Sequence, residues 1–168
     1  LKAISKEDGS VSKSYKLMKN INCNGEAVSI DLKNSIVYGN NKYTNSSTGH
    51  TSFLGFTIAT GGTINATKVT ASTSYWQSGD NAMRLGSSKN PGSVSYTFAT
   101  NVKISTVIVY AKQYESSVSI KVGTTTHSIS NASSSDFAAY TFNITESNTF
   151  TIESIGGGST RVQIQKVE

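Results

Sequence analysis

Apolar and polar residues alternate along this chain in short bursts, and turn-forming residues break the bursts about every ten positions. The clearest early burst is 27–32, where Val28, Ile30 and Leu32 interleave with Ala27, Ser29 and Asp31. Before it, residues 1–25 alternate weakly around Val11, Tyr15, Leu17 and Ile21, enough for one or two strands. Ile36, Val37 and Tyr38 make another short run, and residues 39–51 (GNNKYTNSSTGHT) read as a polar connector. From Ser52 the pattern is regular and predicts strands near 52–59, 64–71, 82–86, 93–98, 103–111, 117–122, 126–130, 138–144, 149–155 and 160–167. Turn signals follow them, among them Gly61-Gly62, Asn90-Pro91-Gly92, Gly123 and Gly156-Gly157-Gly158. Short strands at this spacing predict an antiparallel β-sandwich or barrel. The run Val107 to Tyr110 is apolar on both faces, which suits a central strand. In the last strand, Val162, Ile164 and Lys166 alternate against Arg161, Gln163 and Gln165.

Connections in an antiparallel sandwich fall alternately at its two ends. One end then receives 61–63, 87–92, 112–116, 131–137 and 156–159, and carries Lys89, Asn90, Gln113, Tyr114, Glu115 and Asp136, with Arg161 at its margin. The other receives 72–81, 99–102, 123–125 and 145–148, and carries Tyr75, Trp76 and Asp80. By this parity the two groups are separate candidate sites. Binding residues tend to sit on loops held by a rigid scaffold, so both groups are candidates.

Composition agrees with the pattern. Ser and Thr fill 48 of 168 positions and charged residues only 15%, so strands and turns are favoured over helix interiors. The length suits one domain, with residues 1–50 as N-terminal strands and connector and 51–168 as the regular sandwich core. The net charge of +5 leaves room for an anionic partner. Seven of the fifteen Lys and Arg fall within the first 42 residues, but they are spread singly among acids, so no basic block marks a nucleic-acid surface.

Chemistry-bearing motifs are few. Cys23 is alone, which excludes an internal disulfide, and His50 and His127 have no ligand spacing, so neither a metal nor a cofactor is expected. Gly-x-Ser-x-Gly and Walker-type loops are absent, and the ten carboxylates show no pairing in sequence. The expectation is a non-enzyme. Four Asn-x-Ser/Thr sequons, at Asn45, Asn65, Asn131 and Asn143, are no more than the Asn and Ser/Thr content supplies by chance. The chain begins at Leu1 without a secretory leader or an apolar run of membrane-spanning length. It is therefore expected to be a piece of something longer, with neighbouring domains and no membrane insertion.

The candidate binding residues are aromatic or cationic. Tyr75 and Trp76, the only Trp, either stack on a sugar face or pack in the core. Tyr114, between Gln113 and Glu115, is expected to be exposed on a loop. Arg84, between Met83 and Leu85, either holds a ligand on a sheet face or is the outward residue of the alternation. Asp80 completes the set Tyr75, Trp76, Asp80, Arg84 and Tyr114.

Three stretches carry a resemblance: Tyr75-Trp76 with 83–93 (MRLGSSKNPGS), then 103–112 (KISTVIVYAK), then 160–168 (TRVQIQKVE). Together they resemble a jelly-roll-like β-sandwich module of secreted multidomain surface proteins of low-GC Gram-positive bacteria, over roughly residues 52–168. The motifs are structural and carry no catalytic residue. The resemblance implies a secreted or cell-surface location and a noncatalytic role in binding a glycan or cell-surface polysaccharide, or in adhesion. The competing expectation is a spacer or an assembly subunit of a surface layer, filament or viral particle. A third, accessory DNA binding through the basic N-terminal part, predicts affinity that falls steeply with salt.

Overall fold

The computed structural model describes residues 2–4, 12–14, 27–32, 42–43, 55–58, 61–77, 82–131, 136–156 and 160–168. Every element among them is a strand: β1 (Lys2–Ile4), β2 (Ser12–Ser14), β3 (Val28–Asp31), β4 (Lys42–Tyr43), β5 (Gly55–Ile58), β6 (Thr63–Asn65), β7 (Lys68–Ser72), β8 (Ser74–Gln77), β9 (Ala82–Leu85), β10 (Ser93–Thr97), β11 (Ile104–Gln113), β12 (Val118–Val122), β13 (Thr125–Ile129), β14 (Ala138–Ser147), β15 (Thr149–Ile155) and β16 (Val162–Val167). Cys23 and the run Ile36 to Tyr38 lie outside the described residues.

One sheet has the order β13-β12-β15-β10-β7. The other is built on β16, which pairs β11 along one edge and β9 and β3 in succession along the opposite edge. It extends through β14 beyond β11, through β8 and β4 beyond β9, and through β5 and β6 beyond β3. Every one of these pairings is antiparallel. The central pairs are nested: β9 with β16, β10 with β15, β11 with β14, and β12 with β13. A long hairpin has thus been wound so that alternate pairs fall in opposite sheets, which is a jelly roll. Of the sandwich or barrel that the pattern predicts, the chain forms an all-β antiparallel sandwich, with the jelly-roll-like winding that the resemblance implies.

The core is the sum of the inward alternations. Val94 and Tyr96 on β10, Ile120 and Val122 on β12 and Ile152 on β15 face Val107 and Val109 on β11, Phe142 on β14 and Ile164 on β16, all at most 1% exposed. Tyr96 stacks on Phe150 with ring centroids 5.2 Å apart, and Phe98 continues the stack at 6.4 Å. Outward positions of the first sheet hold the hydroxyl residues. Ser95 and Thr151 share a hydrogen bond at 2.7 Å across the β10–β15 pair, and Lys121 reaches Glu153 at 3.7 Å. Cross-strand polar pairs of this kind contribute about 0.2–1 kcal/mol each, which accounts for part of the Ser/Thr content.

Four features depart from the expected pattern, the first being that Lys42–Tyr43, inside the expected polar connector 39–51, form β4 because β8 offers an edge to pair with. The segment 64–71 is two strands, β6 and β7, because the chain changes sheets at Ala66-Thr67; the Thr67 N–H then bonds the Thr97 carbonyl at 2.7 Å. Residues 74–77, placed in a long loop by the pattern, form β8. In β16, a register shift opposite Tyr110 and Ala111 leaves Gln165 as the extra residue. The Gln165 carbonyl instead accepts from the Leu32 N–H at 2.8 Å. This bulge turns Val167 into the core at 0% exposure and Lys166 outward, so Lys166 does not share a face with Val162 and Ile164.

The sheets are joined at one end by a compact knot around the β9–β10 turn. The Gly86 N–H bonds the Thr73 carbonyl at 2.7 Å. The Thr160 hydroxyl is placed between the Ser87 and Asn90 carbonyls at 2.9 and 2.7 Å, and buried Ser154 bonds both the N–H and the carbonyl of Gly92. Gly86 has φ +86, and a Cβ there would overlap the Thr160 carbonyl. Thr73 itself adopts φ 47, rare for a β-branched residue, at the corner where the chain passes from β7 to β8. At the β13–β14 side, the His127 Nε2 lies 2.8 Å from the Thr141 carbonyl, and the Thr125 hydroxyl donates to the Asn143 carbonyl at 3.4 Å. These contacts occupy carbonyls of a ten-residue edge strand that would otherwise invite another chain.

Gly86→Ala is expected to lower stability by about 3 kcal/mol or more, since strain and overlap act together. Gly61→Ala, also at positive φ but with open space around it, should cost only about 1–2 kcal/mol. The difference is read from urea midpoints of the two variants.

Candidate functional site

The connections 86–92 and 114–117 and the described parts of 130–137 and 156–161 meet at the knotted end, where strand parity put them. Parity put 61–63 there too, but the extra strand made by dividing 64–71 into β6 and β7 leaves that turn at the opposite end, where Ile64 and Val28 line a cavity with Phe98 and Val102. Backbone bonds tie them together: the Tyr114 N–H to the Arg161 carbonyl at 3.3 Å, and the Gln113 N–H to the Asn131 carbonyl at 3.4 Å. Asn131 braces the end from below. Its Nδ2 donates to the Ala111 and Asp136 carbonyls at 3.2 and 3.0 Å, and its Oδ1 accepts from the Tyr140 hydroxyl at 2.9 Å. Burial pushes the Tyr140 phenol above its ordinary value.

On the outer face of the β16 sheet, a row of residues runs across this end. Tyr75 stands opposite Arg84, Arg84 opposite Gln163, and Gln163 opposite Lys112, on β8, β9, β16 and β11 in turn. Gln163 is 0% and Lys112 7% exposed, so the middle of the row is roofed. The roof is aromatic. The Lys112 ammonium lies 4.9 Å from the Phe137 ring centroid, and the Arg84 guanidinium lies 5.0 Å from that of Tyr114. The Arg161 guanidinium lies over the same Tyr114 ring at 4.8 Å and is paired with the Glu115 carboxylate.

Both arginines of the chain, 77 positions apart in sequence, therefore converge on the ring of one loop tyrosine. Cation–π contacts of this type contribute about 0.5–2 kcal/mol and orient the guanidinium plane. The rim stays accessible: the Arg161 side chain is 18% exposed and that of Glu115 52%. Tyr114 is half-buried rather than simply exposed, because the two guanidinium groups lie against it.

The other candidates are placed as follows. Trp76 stands opposite Met83, which is 0% exposed. Asp80 lies outside the described residues. Lys89 and Asn90 form the exposed tip of the β9–β10 turn, and Asp136 is exposed at the start of the run into β14. The parity reading kept Tyr75 apart from Tyr114, and the register corrects this. The unrecognised strand β8 adds one more crossing of the sandwich and brings Tyr75 to the position of Arg84. Lys112 and Phe137 were not singled out from sequence. The signal for Arg161 was available: a chain with thirteen Lys keeps only two Arg.

Two further features lie away from this row. At the opposite end, a cavity of about 320 Å³ opens between the sheets, lined by Phe98, Val102, Ile104, Val107 and Phe150 with Lys103 and Glu168 among its few polar groups. On the outer face of β16, the Tyr110 hydroxyl donates to Glu168 at 3.0 Å, and Lys166 pairs with Glu168 while lying 5.0 Å from the Tyr110 ring centroid. The hydrogen bond from Lys166, assisted by that from Tyr110 and opposed by burial, holds the Glu168 carboxyl below its ordinary value. The hydrogen bond to Glu168, followed by burial, raises the Tyr110 phenol.

The described residues contain no group of three His, Cys, Asp or Glu able to hold a metal, and no helix long and apolar enough to cross a membrane. No family model and no curated protein matches the chain. Among solved structures, a family two carbohydrate esterase from Cellvibrio japonicus is similar over 59% of this chain and 29% of that one, at 14% identity and a TM-score of 0.33. A likeness of that grade bears on neither activity nor ligand.

The Tyr110–Lys166–Glu168 cluster predicts a two-sided pH dependence. The depressed Glu168 carboxyl stabilises the fold above its unfolded-state value, and this is lost as pH falls through the folded-state value. The raised Tyr110 phenol contributes fully below its unfolded-state value and is lost as pH rises through the folded-state one. Glu168→Gln should flatten the acid limb of a melting-temperature profile and weaken the alkaline limb. An unchanged profile would show that the cluster does not couple to folding.

Proposed function

We propose that this chain is a noncatalytic carbohydrate-binding or adhesion module of a secreted or cell-surface protein, binding a glycan through the knotted end of the jelly roll. The observation that carries this reading is the convergence of Arg84 and Arg161 on Tyr114. Sugars present apolar ring faces and outward hydroxyls, and are met by aromatic rings with hydrogen-bonding groups at their margin. Tyr114 supplies the ring and the guanidinium groups supply planar arrays of N–H donors. Tyr75, placed opposite Arg84, brings one more aromatic residue to the same row, whereas Trp76 is placed opposite the core residue Met83. The scaffold favours binding without a large ordering cost, because the connections are already tied to one another.

Nothing in the arrangement asks for catalysis. The described acids near the cluster are Glu115, committed to Arg161, and Asp136, and a hydrolytic mechanism with two carboxyls needs both facing one cleft.

A glycan array with the purified chain tests the reading. Binding is expected, with a loss of about tenfold or more, or about 1.4 kcal/mol, in Tyr114→Ala. Absence of binding to every glycan, together with concentration-dependent assembly on size-exclusion chromatography, would replace this reading by the assembly subunit.

A further inference from the structure

The geometry points to an oxyanion-bearing glycan, one carrying carboxylate or sulfate groups, as the ligand of the Arg84–Tyr114–Arg161 cluster. This rests on the glycan-binding reading above and names its substrate class. Three observations lead there. First, the chain uses Lys for thirteen of its fifteen cations and spends both arginines here. A guanidinium differs from an ammonium in its rigid planar fork, which matches the two oxygens of a carboxylate or sulfate, and in its ability to stack on a ring. A site for neutral hydroxyls has no such requirement.

Second, an oxyanion already contacts one of the guanidinium groups. Glu115, from the same connection as Tyr114, places its carboxylate on Arg161. The Arg161 guanidinium can therefore lie over the Tyr114 ring and receive a carboxylate at once. Glu115 is half-exposed, so a ligand carboxylate can displace it without opening the core. Third, the described charged groups of the row and its rim are Arg84, Arg161 and Lys112 against the carboxylates of Glu115 and, at the margin, exposed Asp136. The local field favours an anion, and stacking on Tyr114 and Phe137 orders the cations before the ligand arrives.

Binding of the full chain to four soluble polymers tests this: polygalacturonate and its methyl ester, and dextran sulfate and unsubstituted dextran. At least one charged polymer should bind about tenfold or more tightly than its uncharged counterpart, with affinity falling as salt rises. Which charged polymer binds assigns carboxylate or sulfate. Arg84→Lys and Arg161→Lys keep the charge and lose the fork, and each should weaken binding about tenfold. Glu115→Gln removes the internal competitor and should strengthen it several-fold; this variant leaves both arginines in place and stays informative if an arginine variant fails to fold. Equal binding of charged and uncharged polymers, lost in Tyr114→Ala, would overturn the anionic class while leaving glycan binding intact. Binding to charged polymers that is indifferent to all three charge-site variants would assign it to the diffuse positive charge of the chain and overturn the inference. No binding to any polymer or on the glycan array would remove both readings together.

Discussion

The close backbone contact around Gly86 and Gly92 is the constraint on which the rest of this sandwich depends. Here the β9–β10 turn, the corner at Thr73 and the passage from β15 to β16 are packed so tightly that a Cβ at either glycine would overlap neighbouring backbone. Buried Thr160 and Ser154 add side-chain hydrogen bonds to the Ser87, Asn90 and Gly92 backbone and so tie the turn to the passage beside it. The contact sets where the chain leaves one sheet and enters the other. It therefore sets the register of the nested pairs that follow.

From that register the candidate site arises indirectly. Once β9 lies against β16, Arg84 must stand opposite Gln163, and Gln163 opposite Lys112. The long strand β11 then delivers Tyr114 just beyond the sheet, where its N–H meets the Arg161 carbonyl. Two arginines far apart in sequence reach one ring because their strands are neighbours. The same packing that buries Gln163 leaves the edges of Tyr114, Arg161 and Glu115 at the surface.

The strand content of residues 82–168 was legible because inward Val, Ile and Phe alternate with outward Ser and Thr, and Gly, Asn and Pro mark the turns. Four things were not legible, the first being the pairing of Lys42–Tyr43, in a polar segment, with β8. Strand β8 has four residues between polar segments, too short for a period to declare itself. The Gln165 bulge breaks the period without changing composition, so strict alternation grouped Lys166 with the core residues Val162 and Ile164. The division of 64–71 into β6 and β7 depends on which sheet offers a partner, since both halves read as strand.

The candidate site divides along the same line. The sequence alone shows the residue types: a Tyr on a loop, two scarce arginines, and an aromatic pair before a strand. It also predicts which later connections share an end, because antiparallel strands alternate direction. Local pattern therefore settles strand, face and end wherever the period is unbroken. Only the tertiary structure decides that Arg84 and Arg161 meet on Tyr114, and that Tyr75 pairs with Arg84. Those facts depend on strand neighbours and on one extra crossing of the sandwich. Hydrogen-bond pairing between distant segments fixes them, and local periodicity does not encode it.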